Sequence, residues 1–127
     1  MKALTVRQPW ASLIMCGAKD VECRTWMTAY RGPLLIHAGL ALDQGALTAH
    51  AHLVPGDLPR GVLLGTVTMT ACVRDHPSPW AEPGGWHWVL ADPVPFTVPV
   101  EYRGKLGLWD VPGRSITALA TRGPGRT

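Results

Sequence analysis

No stretch of this chain approaches the roughly 20 consecutive apolar residues that span a bilayer. The opening Met1-Lys2-Ala3-Leu4-Thr5-Val6-Arg7-Gln8 turns polar before a secretory apolar core can form. A membrane partner and export are therefore not expected, and a cytoplasmic location is. Cysteine is scarce: Cys16, Cys23 and Cys72 form no CxxC pair and cannot all be joined, which suits a reducing compartment. The histidines His37, His50, His52, His76 and His87 are scattered, so four closely spaced ligands for a structural metal are lacking and no metal is expected. The Walker loop, the GxSxG elbow, the HExxH helix and the dinucleotide fingerprint are all missing, and no cofactor is expected. No internal repeat is visible.

What is present fits one domain. The chain has 127 residues, 46% of them apolar and 17% charged, enough for a single core and too few for a second. Net charge is +3, unevenly spread. Residues 1–34 carry five cations against two carboxylates, residues 35–101 two against six, and residues 102–127 five against one. Were the two ends to fold side by side, one face would be basic, and a polyanionic partner would follow.

Punctuation divides the chain. A short strand is expected over 3–6, then a helix with Pro9 in its first turn, Trp10, Leu13 and Ile14 on one face, and Gly17 just past its end. Residues 17–24 read as a polar turn, 34–38 as a buried strand, 40–53 as a helix weakened by Gly45, and 54–61 as a loop. The strongest strand covers 62–73, with Leu63, Val67, Met69, Ala71 and Val73 on one face and Thr66, Thr68, Thr70 and Cys72 on the other. Gly65 inside it marks a bulge or a corner. A Pro-rich loop over 74–85 leads to strands at 86–92 and 94–101. Pro95 and Pro99 confine the second of these to an edge or a bulge. A last strand covers 108–111. Residues 113–127 read as a basic, flexible tail with a weak helical stretch over 115–120. The pattern predicts a small α+β domain on a curled sheet or barrel.

Three charges within six residues, Lys19, Glu22 and Arg24, form the notable cluster. A lysine beside a carboxylate is either a proton-transfer pair or an ion pair that presents Arg24 to a phosphate. Trp10, Trp26, Trp86, Trp88 and Trp109 are many large rings for one small domain. Most are expected in the core, with one or two free to stack on an unpaired base. Trp86 and Trp88 share a strand face, and His87 points the other way. His37 lies in an apolar strand, where a histidine is more often a satisfied core residue than a base.

Gly17-Ala18-Lys19-Asp20-Val21-Glu22-Cys23-Arg24 resembles the G-x-K-x-x-E-x-R signature of the ASCH domain family. Gln8-Pro9-Trp10-Ala11-Ser12-Leu13 is similar to the family's helix start. Arg24-Thr25-Trp26, Tyr30-Arg31-Gly32-Pro33-Leu34-Leu35-Ile36-His37-Ala38, Leu63-Leu64-Gly65-Thr66-Val67, Trp86-His87-Trp88-Val89-Leu90 and Leu108-Trp109-Asp110-Val111 follow in the family's order. The likeness covers about residues 3–112 and is nearest to stand-alone bacterial members that resemble the ASCH domain of a eukaryotic transcription coactivator. The resemblance implies an ASCH (PUA-like) domain over residues 1–112: an α+β fold, a β-barrel with flanking short helices. It implies a basic cleft that receives nucleic acid, RNA or DNA, lined by Arg7, Gln8, Trp10, Lys19, Glu22, Arg24 and His37; Trp26 joins these as an expected base-contacting ring, and a monomer is expected. It also implies an alternative, a small hydrolase acting on N4-acetylcytidine or a ribonuclease, with Lys19 and Glu22 catalytic. The family's hydrolases use a Lys, a Thr three residues later and a distant Glu. Here Glu22 stands at the Thr position, and the strand over 66–70 has no carboxylate before Asp75. Binding is therefore the favoured expectation.

Overall fold

The computed structural model describes residues 1–113, so the expected tail and its helical stretch lie outside the described residues. Six strands and two short helices follow in the order β1 (Lys2–Gln8), α1 (Trp10–Met15), β2 (Val21–Arg24), β3 (Gly32–Leu42), α2 (Gln44–Ala49), β4 (Val62–Val73), β5 (Trp86–Glu101) and β6 (Leu108–Asp110). One turn of 3₁₀ helix, Ala51–Leu53, follows α2. The strands make one mixed sheet in the order β2-β5-β4-β3-β1-β6. β1 runs parallel to β3, and the other ladders are antiparallel. The order is linear with β2 and β6 at its edges, so the expected barrel is not closed by hydrogen bonds. No helix among the described residues is long and apolar enough to cross a membrane.

Apolar side chains fill both faces of the sheet. The larger cluster sets Leu4, Val6, Leu34, Ile36, Val67, Met69 and Trp88 against Ala11, Ile14 and Met15 of α1. A smaller cluster on the other face holds Ala3, Leu35, Leu63, Val100, Trp109 and Val111. Alternation along β1 and β3 places neighbouring residues in opposite clusters. In β4 the alternation changes phase at Gly65, where both flanking ladders shift register. Leu63 and Val67, expected on one face, therefore face opposite clusters. A Cβ on Gly65 would stand 2.3 Å from the Val94 carbonyl oxygen, which is why glycine sits at this bulge.

Three further expectations change. The segment read as a polar turn continues into β2, whose Val21-to-Arg24 residues pair with Val89-to-Trp86 of β5. The helix expected over 40–53 is only α2 with its 3₁₀ turn, because β3 runs on to Leu42 and Asp43 caps α2 through Ala46 N–H, 3.0 Å away. The two strands expected around residue 93 are one bent strand, with Asp92 at φ 51° in the left-handed region that Asp tolerates. Beyond that bend β5 pairs with β4 alone, so Pro95 and Pro99 do lie on an edge segment. The chain ends also meet: β6 pairs with β1, and the terminal ammonium donates to Val111 O at 2.8 Å. Lys2 is taken up by Asp110 at 3.2 Å.

Candidate nucleic-acid interface

Local chain chemistry fixes the site's central charges. Gly17, at φ +85°, closes α1 where a side chain would be strained, and Lys19 N–H then returns to Leu13 O at 3.0 Å. This turn carries Lys19 inward to 6% exposure. Its ammonium donates to Val21 O and, at 3.2 Å, to Glu22 Oε1, and lies 5.6 Å from the centre of the Trp10 ring. Glu22 and Arg24, two apart on β2, project from one strand face. Arg24 Nε and Nη2 approach Glu22 Oε2 at 3.1 and 3.0 Å, and Nη2 also donates to Thr5 O at 2.9 Å. Glu22 thus joins both cations while only 8% exposed. The three charges are one connected network rather than three separate reagents.

Around this floor opens a cleft of about 590 Å³. Arg7, Trp10, Lys19, Glu22, Arg24 and Trp26, all expected there, do line it. Gln8 and His37 do not. Gln8 is fully buried, donating to Ser12 Oγ at 2.8 Å and Pro59 O at 2.9 Å, and so ties β1 to α1 and the 54–61 loop. His37 faces the smaller cluster: Nε2 lies 2.7 Å from Tyr102 O, Nδ1 3.2 Å from Thr5 Oγ1, and Trp109 packs edge-on at 5.6 Å. Burial holds its pKa below the usual histidine value, against the opposing pull of the Tyr102 carbonyl.

Lining residues outside the sequence-based set include Asp43, His50, Trp80 and Glu82. Asp43 accepts from Trp10 Nε1 at 3.2 Å and pairs with Arg7 Nη2 at 3.7 Å. Its pKa is lowered chiefly by the Ala46 amide, then by Trp10 and Arg7. Trp80 stands edge-on to Trp10 at 6.2 Å, and His50 packs against both, 5.5 Å from Trp10 and 5.0 Å from Trp80. Three rings thus form one wall. No sequence pattern links them, because they come from α1, the end of α2 and the 74–85 loop; Trp80 in a Pro-rich segment was the one available sign.

That loop is pinned. Ser78 Oγ donates to Asp20 Oδ1 at 2.6 Å, and the Trp80 and Glu82 main chains meet Cys23 Sγ at 3.4 Å. His87, 2% exposed, accepts from His76 N–H at Nδ1, so its proton sits on Nε2 and is donated to Glu82 O at 2.6 Å. Trp26 is held from behind by Trp88, ring to ring at 4.6 Å, and its carbonyl accepts Trp88 Nε1–H at 3.2 Å. Trp88 and Trp109 are core rings as expected, while Trp86 is half-buried under Arg74 at 5.0 Å. In charge the cleft differs from expectation: Arg7, Lys19 and Arg24 are matched by Glu22, Asp43 and Glu82.

The family model for the ASCH domain matches residues 4–99. The chain belongs to the ASCH domain family. It is 40% identical to human Activating signal cointegrator 1 and 38% identical to the mouse protein of that name. Each alignment runs over 81 residues, covering 55% of this chain and 14% of the relative. The chain thus corresponds to about one seventh of those proteins. Among solved structures it resembles ASCH from Zymomonas mobilis, with a TM-score of 0.64 at 14% identity over 94% of this chain and 93% of that one. A tyrosine-to-phenylalanine mutant of that bacterial protein gives 0.62, also at 14% identity, over 94% and 96%. At that identity the likeness concerns the ASCH fold. Lys19, Glu22 and Arg24, which build the cleft floor, lie within the matched residues.

Proposed function

We propose that this ASCH domain binds nucleic acid, RNA or DNA, by admitting one unpaired nucleotide to the cleft, its base against Trp10 and Trp80 and its phosphate at Arg7. The observation that carries this reading is the ring wall of Trp10, His50 and Trp80 beside the ion-paired floor, in a cleft of about 590 Å³. That volume lies within the ordinary range for small-ligand sites. A base offers a flat π-face, and stacking on an aromatic side chain is worth roughly 1–3 kcal/mol per base. Duplexed bases are already stacked, so an unpaired one fits the cleft at least cost.

The phosphate contacts differ from the sequence-based expectation. Lys19 is engaged by Val21 O and Glu22, so it shapes the floor rather than reaching a phosphate. Arg7, whose side chain is 61% exposed, and the outer edge of Arg24 remain for the backbone. The hydrolase alternative is weaker, because Lys19 and Glu22 hold each other and Arg24 instead of standing open to a reactant. Fluorescence anisotropy with labelled single-stranded RNA, single-stranded DNA and blunt duplex tests the reading. Single strands should bind tighter than duplex, and Trp80→Ala should weaken them about tenfold. Equal affinity for duplex, with no effect of Trp80→Ala, would refute it.

A further inference from the structure

The acceptors in the cleft are not equivalent. Glu22 receives Lys19 on Oε1 and Arg24 on Oε2. Asp43 receives the Ala46 amide on Oδ1, and Trp10 Nε1–H and Arg7 on Oδ2. Glu82 also lines the cleft, yet among the described residues its carboxylate has no hydrogen bond and no ion pair. Its main chain, by contrast, is fixed at both polar groups. The amide donates to Cys23 Sγ at 3.4 Å, and the carbonyl receives His87 Nε2–H at 2.6 Å. A solvent-exposed two-oxygen acceptor is therefore carried on an anchored main chain among the residues that line the cleft, with no partner for it among the described residues.

We infer that Glu82 is a specificity-determining residue that selects guanine as the base in the cleft. This rests on the base-in-cleft reading above and adds to it the identity of the base. A carboxylate fork accepts two parallel N–H bonds best. Guanine carries two adjacent donors, N1–H and N2–H₂, on its pairing edge. Adenine and cytosine each offer one amino donor beside an acceptor nitrogen. Uracil and thymine offer a single N3–H between two carbonyl oxygens, which would face the carboxylate's second oxygen with like charge. Only guanine engages both oxygens without leaving one opposed.

The test uses anisotropy at fixed salt with short single-stranded oligouridylates carrying one central guanosine, adenosine or cytidine, and with oligouridylate itself. Wild type should bind the guanosine probe about tenfold tighter than oligouridylate, the discrimination typical of one good bidentate base contact. Glu82→Gln replaces one acceptor oxygen by a donor and should bring the guanosine probe to within about twofold of the others. Equal wild-type affinity for all four probes, or an unchanged ranking in the variant, overturns the assignment. Trp80→Ala separates the two levels. If it weakens every probe alike while Glu82→Gln leaves the ranking intact, the base enters the cleft and only the guanine assignment fails. If Trp80→Ala changes nothing, the base-in-cleft reading fails and the assignment goes with it.

Discussion

Glu22→Gln and Glu82→Gln are the same substitution at two residues that line one cleft, and the structure assigns them different consequences for folding. At Glu22 the amide keeps one acceptor and turns a donor toward the other cation. Lys19, 6% exposed, cannot turn to water, so the oxygen should stay with it and the amide nitrogen should face Arg24. Arg24 then loses Glu22 Oε2, now 3.0 Å from Nη2 and 3.1 Å from Nε, and keeps Thr5 O. Losing a charge-assisted bond at a largely buried site costs about 2–4 kcal/mol, and the 23% exposure of the Arg24 side chain favours the lower half. For a domain of this size that lowers Tm by roughly 10 °C. At Glu82 no side-chain bond is lost, and the shift should stay within about 0.5 kcal/mol. Thermal unfolding followed by circular dichroism reads both. Equal, small shifts for the two variants would refute the view that Glu22 ties the cleft floor together.

Further outcomes follow from particular contacts. Gly65→Ala forces a Cβ to 2.3 Å from the Val94 carbonyl oxygen and should cost about 3 kcal/mol in urea unfolding; an unchanged midpoint would mean that the bulge yields freely. Because burial lowers the His37 pKa, the unfolded chain takes up a proton below the ordinary value of 6.5 that the folded ring refuses. Stability should therefore be full above pH 6.5, fall as pH drops below it, and lose that slope in His37→Gln. A slope unchanged in the variant would assign the effect to other groups. Arg7→Ala should weaken single-strand binding for all sequences alike and reduce the dependence of log affinity on log salt by about 1; an identical slope removes Arg7 from the phosphate contacts.

Much of this arrangement was legible before any coordinates. The resemblance of residues 17–24 to a G-x-K-x-x-E-x-R pattern points to the floor residues, and period-two alternation in residues 62–73 marks β4 to its ends. Gly17 and Gly65 announce a helix end and a bulge through backbone requirements that act locally. The errors share one cause, which is partnering across the sheet. Residues 21–24 look like a polar turn in isolation and become a strand because β5 offers them a ladder. The phase change at Gly65, which parts Leu63 from Val67, needs the neighbouring strands to show itself. His37 looks the same in sequence whether it faces the cleft or the opposite cluster, since one residue of register decides the side. Trp80, His50 and Glu82 are invisible as a group because only tertiary packing brings the loop over 74–85 against α1 and α2.

The most direct test of the central claim is to watch the tryptophan indoles while a short single-stranded oligonucleotide is added. Trp10 and Trp80 border the cleft, whereas Trp109 lies in the cluster on the opposite face of the sheet. In ¹H–¹⁵N spectra the indole resonances of Trp10 and Trp80 should shift in proportion to occupancy while that of Trp109 stays in place. Saturable binding that moves Trp109 and leaves Trp10 and Trp80 unmoved would contradict the account.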